Sequence, residues 1–351
     1  MEVKKAKKRY PYIDILNILA ILGVIFLHHN FGAHVYEPNA RWALDVVTKV
    51  LFRYAVPIFV MISGATLLGY REKYDTKTFF KKRFMKLLVP AICWIILMYL
   101  WQAFVVRDPQ FQTFSPKAIF NNIMLSREDA NYWFIFMILG VYLTIPVLSH
   151  VAGRQNKKTL QYAIVAMLIF NSLLPTACSL LGLEFNADLS LNLGQYIIYI
   201  LLGYYIHTFP IKKERRHRIY AAAIAALILN YTLTLIISHD RGSFFNLCTY
   251  NTAPLSIIYS AGLFLFIKNA ANRIRRKKIM NILATLAGCS FGIYLSHLVV
   301  MWHMEWFLKH ICHMSLGSFA YRFLFPFITY ALCLALVLII KKIPLVRRIV
   351  P

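Results

Sequence analysis

Three ionisable side chains stand inside long apolar runs of this chain: His28, Arg53 and His297. An imidazole takes up and returns protons near neutral pH. A guanidinium can hold the negative charge that develops on an oxygen under attack. Together they could draw a proton from a hydroxyl and stabilise the anion that its attack creates. His28 closes the run YIDILNILAILGVIFLHHN, Tyr12–Asn30. At about 1.5 Å of rise per helical residue it lies about 24 Å from the start of that run. Arg53 and His297 lie about 25 Å from the same boundary of their own runs, so all three share one level. Ionisable groups at such a depth are costly and mark reaction centres or pathways. Tyr294 precedes His297 by three residues and falls on the same helical face.

Other candidates have plainer readings beside the sharp one. His29 and Asn30 read as interfacial polar residues ending the first helix. Pro57 and the Ser63-Gly64 pair loosen the run after Arg53, either for close helix packing or to admit a ligand to its backbone. In TFFKKRFMKLLVP, Lys82, Arg83 and Lys86 follow helical spacing, with Arg83 and Lys86 on one face. They are either inner-leaflet anchors or a phosphate site, Arg offering a planar fork and Lys a point charge. Trp133 reads as part of an aromatic belt. Glu305 has His303 and Arg322 as candidate partners. No histidine spacing suggests a metal site. The six cysteines show no CxxC pair and read mostly as small core residues. Cys248 and Cys312 fall in connecting loops, and spacing does not decide whether they pair.

The elements that carry these residues follow from composition. The 351 residues are 59% hydrophobic and only 15% charged, against roughly 25% charged for a soluble domain. The fold class is therefore all-α, a polytopic membrane helical bundle. About ten spans are expected, near 12–32, 42–69, 84–106, 132–151, 160–182, 193–208, 218–238, 252–268, 280–307 and 319–341. The net charge of +25 does not point to nucleic acid, because its placement is topological. Of the 39 Lys and Arg, 30 fall on the N- and C-terminal segments and every second connection, which makes both termini cytoplasmic by the positive-inside rule. The longest external connection, 107–131, is polar and suits a lid or rim. The apolar run near the N-terminus lacks a small-residue cleavage site and reads as an uncleaved first span. Residues 1–351 read as one integral-membrane domain. The reading from another class is a transporter or flippase for a lipid-linked sugar or anionic solute, but no pair of broken helices recurs in the two halves.

These pieces resemble the acyltransferase-3 family of bacterial membrane O-acyltransferases, over nearly the whole length. The resemblance rests on the first span ending at His28 and on RYAVPIFVMISG, KKRFMKLLVP, WFIFMILGVYL, YIIYILLGYYI and SFGIYLSHLVV in that order. It departs at Asn17, where the family has a basic residue ahead of the histidine, and at Lys86, where the family has a second arginine. No extracellular esterase-like domain is expected beside it. The resemblance implies transfer of an acyl group, acetyl by expectation, from cytosolic acyl-CoA to a hydroxyl of a surface or lipid-linked glycan. His28 would be the general base, Arg53 would stabilise the oxyanion, and Tyr294 and His297 would orient or assist. Lys82, Arg83, Lys86 and Ser63 would line the donor site. Acyl-CoA, by expectation acetyl-CoA, would be a substrate rather than a resident cofactor. Location in the bacterial cytoplasmic membrane, among its lipids, is implied by the same likeness. An acyl-histidine intermediate stays open.

Overall fold

The computed structural model describes residues 9–127, 132–246, 250–344 and 346–351. Among these residues the fold is helical throughout, without strands. Nine helices are long and apolar enough to cross a membrane: Pro11–His29, Ala40–Glu72, Thr76–Val106, Trp133–Val151, Arg154–Leu180, Lys213–Arg241, Pro254–Ala271, Lys277–His310 and Phe325–Lys342. A shorter apolar helix, Ile197–Thr208, stands where the short sixth span is expected. In chain order, among the described residues, nine of the ten anticipated spans are helices of spanning length and the sixth is this shorter one. Cys248 lies outside the described residues, and with it the question of its pairing with Cys312.

The first span is the hub. It packs against the second, eighth, ninth and tenth spans, and Leu16, Ala20, Ile21 and Ile25 are fully buried. Arg9, just before it, bonds to the carbonyl of Ala284 early in the ninth span. Lys341, at the end of the tenth, bonds to the carbonyl of Gly288 in that same helix. The start of the first span and the end of the tenth therefore lie on one face, the near face of the bundle. The second and sixth spans touch backbone to backbone. A Cβ on Gly64 would strike the carbonyl of Ile200, and one on Gly203 would strike that of Met61. The small pair at Ser63-Gly64 thus admits another helix, as small residues do inside membranes. Ala223 of the seventh span fills the space left by Gly262 of the eighth in the same manner.

Local breaks in the helices arise from the sequence and fall beside the candidate residues. Pro57 has no N–H to offer the carbonyl of Arg53, four residues earlier. The second span accordingly tightens to a 3₁₀ turn over Phe52–Tyr54 before resuming as an α-helix at Ala55. In the third span a π turn at Phe84–Leu88 comes immediately after Arg83 and carries Lys86; such bulges are common at functional sites. Of the expected rim, Pro116–Met124 forms a short helix capped by Ser115, and Phe111 is buried against Tyr99.

Candidate active site

Two cavities enter the bundle from opposite ends. The near cavity, about 320 Å³, is lined among others by Asn17, Ser63, Arg83, Lys86 and Tyr294. The far cavity, about 260 Å³, is lined by His28, His34, Lys49, Arg53, Trp133 and Tyr294. Phe59, Phe134 and Tyr294 line both, so a single aromatic layer separates them. Phe134 and Tyr294 meet edge to face with ring centres 5.3 Å apart. Only a narrow object can pass between aromatic rings, and it would connect the two cavities.

His28 is held at the far end of the first span. Its ring centre lies 5.1 Å from that of His297 in the ninth span, so the common level expected of these residues is a physical neighbourhood. Arg53 lines the same far cavity. The Nδ1 of His297 is 2.6 Å from the carbonyl oxygen of Tyr294. A carbonyl only accepts, so this nitrogen carries the hydrogen and Nε2 is left with a bare lone pair. That Nε2, Nδ1 of His28 and Nε of Arg53 are all buried without a hydrogen-bond partner. Unpaired polar atoms at such depth cost free energy unless something binds them.

His29 differs from its neighbour. It is 3% exposed, and its Nε2 lies 3.0 Å from Oγ1 of Thr329 in the tenth span. It ties two helices together, as a structural histidine does. A third cavity, about 420 Å³, also opens on His28 and is lined by Trp101, Gln102, Arg127 and Glu305. Arg127 brings the expected rim to the neighbourhood of His28.

The structure does not gather every candidate. Lys82 is exposed and its ammonium sits 3.8 Å above the ring of Tyr74, and it is not among the residues that line the near cavity. Ser63 lines that cavity, but its hydroxyl donates to the carbonyl of Phe59 at 3.1 Å. Asn17 stands in the near cavity beside Arg83 and Lys86, so the family's missing first-span cation would have belonged to this side. Glu305 pairs with neither expected partner; it accepts from the hydroxyl of Tyr321. Arg322 instead forms a buried 2.5 Å bridge to Asp45, because the second span brings Asp45 closer than Glu305 comes. Trp133 lines the far cavity as well as sitting near the span's end.

Two far-cavity residues, Lys49 and His34, were not among those singled out from sequence. Lys49 is 7% exposed, 2.5 Å from Nε2 of His34, with its ammonium 4.9 Å from the ring centre of Phe244. Its signal was present: Lys49 stands within the second apolar run, one turn before Arg53.

The acyltransferase-3 family model, described as an acyltransferase domain, matches residues 10–341. No curated protein and no solved structure matches the chain.

Proposed function

The chain belongs to this acyltransferase family, and on that premise we propose that it moves an acyl group, acetyl by preference, from acyl-CoA to a hydroxyl of a surface or lipid-linked glycan. One observation carries the proposal. A basic cavity and a histidine-arginine cavity meet at the single layer formed by Phe59, Phe134 and Tyr294. The near face is cytoplasmic in this reading, since it carries most of the Lys and Arg. The membrane is the bacterial plasma membrane.

The donor's phosphates bind at Arg83 and Lys86, where a planar fork and a point charge suit them. Ser63 lies along the path of the pantetheine arm, which threads past Tyr294 and presents the thioester at His28. The acceptor enters the far cavity under the rim that carries Arg127. His28 takes the hydroxyl proton as the oxygen attacks the thioester carbonyl. Arg53 faces the tetrahedral oxyanion that forms. The bare lone pair on His297 offers the imidazolium of His28 an acceptor during its lifetime. The C–S bond then breaks, leaving the ester, and the departing CoA thiolate takes the proton from His28. Tyr294 orients the arm between the two cavities. No resident cofactor takes part; both partners are substrates.

The test uses purified protein in lipid nanodiscs given acetyl-CoA, with CoA thiol release as the measurement. Release by the wild type that fails in His28→Ala supports the reading. Absence of CoA release by the wild type, with flux of an anionic sugar across proteoliposomes, would instead make it a transporter.

A further inference from the structure

The far cavity holds more positive charge than acyl transfer to a neutral hydroxyl requires. His28 and Arg53 suffice for the proton and the oxyanion, yet Lys49 lines the same space, with the neutral imidazole of His34 beside it. No aspartate or glutamate among the described residues lines it. The nearest acid on the second span, Asp45, is already bridged to Arg322. Lys49 is only 7% exposed, and the groups it touches do not neutralise it. The imidazole of His34 accepts from the ammonium and the ring of Phe244 offers only its quadrupole. A buried ammonium without a counter-charge costs several kcal/mol. A protein keeps that cost where a ligand supplies the missing charge.

We propose that the far cavity takes an acceptor bearing an oxyanion, a carboxylate or a phosphate, and that Lys49 is the residue that selects for it. The inference rests on the acyl-transfer reading and adds the substrate class to it. Position supports the division of labour. Lys49 precedes Arg53 by four residues, about 6 Å along the helix. An anion at Lys49 therefore lies about one helical turn from the oxyanion that Arg53 faces, within the cavity that His28 also lines. Arg53 serves the transient charge of the reaction; Lys49 serves a charge the acceptor carries permanently.

Protein in phosphatidylcholine nanodiscs is titrated calorimetrically with methyl glucuronide, glucose 1-phosphate and methyl glucoside, without donor. One of the two charged probes binds at least about tenfold more tightly than the neutral one, and which of them does so tells carboxylate from phosphate. Lys49→Gln weakens that probe by about 10- to 150-fold, as loss of a charge-assisted contact should, and leaves methyl glucoside unchanged. Lys49→Arg restores most of the affinity, and His34→Gln gives a second, milder loss should Lys49→Gln fold poorly. Equal binding of all three probes, or an unchanged Lys49→Gln, overturns the proposal. So does displacement of the charged probe when phosphatidylglycerol is added to the discs, because a lipid headgroup would then be the occupant. CoA release from acetyl-CoA is measured in parallel. If it proceeds while the probes bind alike, this inference fails and the acyl-transfer reading stands; if it is absent, both fall.

Discussion

The near and far cavities are both lined by cations and, among the described residues, by no aspartate or glutamate, but they hold those charges differently. In the near cavity Lys86 is exposed and Arg83 half-buried, at a π turn by the mouth of the third span. Water can solvate Lys86, so holding it there costs little and it can meet a mobile polyphosphate without rearrangement, while Nε of Arg83 beside it is buried without a partner. In the far cavity Lys49 is buried and Nε of Arg53 is buried without a partner. Charges kept so dry are expensive. They are strong only toward a group that arrives in a fixed place. The near cavity is built for affinity, the far one for position.

The sharpest way to break that distinction is at the histidine. His28→Ala should lower acyl transfer by roughly 100- to 10,000-fold, the usual cost of losing a general base, with abundance and donor affinity unchanged. His29→Ala should do the opposite. It removes the histidine bond to the hydroxyl of buried Thr329, which keeps only its contact to the sulfur of Met304, and that costs about 0.5–1.5 kcal/mol of stability, while turnover per folded molecule stays near normal. Acceptor acylation at matched expression, together with thermal unfolding in detergent, separates the two. Near-normal transfer by His28→Ala would sink the assignment and most of the enzyme reading.

At the near cavity the expected loss is smaller and of another kind. Arg83→Ala with Lys86→Ala removes charge-assisted contacts to phosphate worth about 1.5–3 kcal/mol each at most. The effect should appear in KM for acetyl-CoA, roughly tenfold or more, with kcat little changed. A loss confined to kcat would show that these cations do not bind the donor. The boundary between the cavities can be tested too. Phe134→Ala opens the aromatic layer it shares with Tyr294. Water should then reach the thioester more readily, and CoA release without acceptor should rise a few-fold.

Much of this is legible in the sequence alone, and the rest is hidden for physical reasons. Periodic length and charge placement suffice to mark spans, because a bilayer imposes both. The shared depth of His28, Arg53 and His297 comes from counting residues, because the rise of a helix is nearly constant. Which helix stands beside which does not come from counting. Arg322 had Glu305 on the same side of the membrane, yet it bridges to Asp45, since lateral neighbours are set by packing that hydropathy does not encode. For the same reason Lys82 could be grouped with Arg83 by adjacency, although successive helical positions point about 100° apart and its ammonium rests on Tyr74. His29 was separable from His28 only as a question of face, and a span that is apolar all round has no readable face.

The finest prediction concerns pH and belongs to the far cavity alone. His34 lies on the connection between the first two spans, outside both. Burial, and then the nearby charges of Lys49 and Arg53, push its pKa below the ordinary 6.5, so it is neutral at pH 7 in the ligand-free protein. An oxyanion bound at Lys49 would stand against the same imidazole and favour its charged form, raising that pKa. Binding then takes up a proton, and by linkage affinity strengthens as pH falls. The slope should appear below the pKa of the liganded imidazole and flatten once the ligand-free protein is protonated as well. Folding has the opposite sign at this residue. The unfolded chain binds a proton at 6.5 more readily than the native one does, so stability declines as pH drops through that range. Titrating the preferred charged probe between pH 8 and pH 5 should show a smaller pH dependence in His34→Gln than in the wild type, the difference being less than about tenfold. The Arg83 and Lys86 side has no comparable group lining its cavity, so donor affinity measured over the same range should lack this component. A donor KM that traced the same curve as the probe would mean that the two cavities are not separate sites.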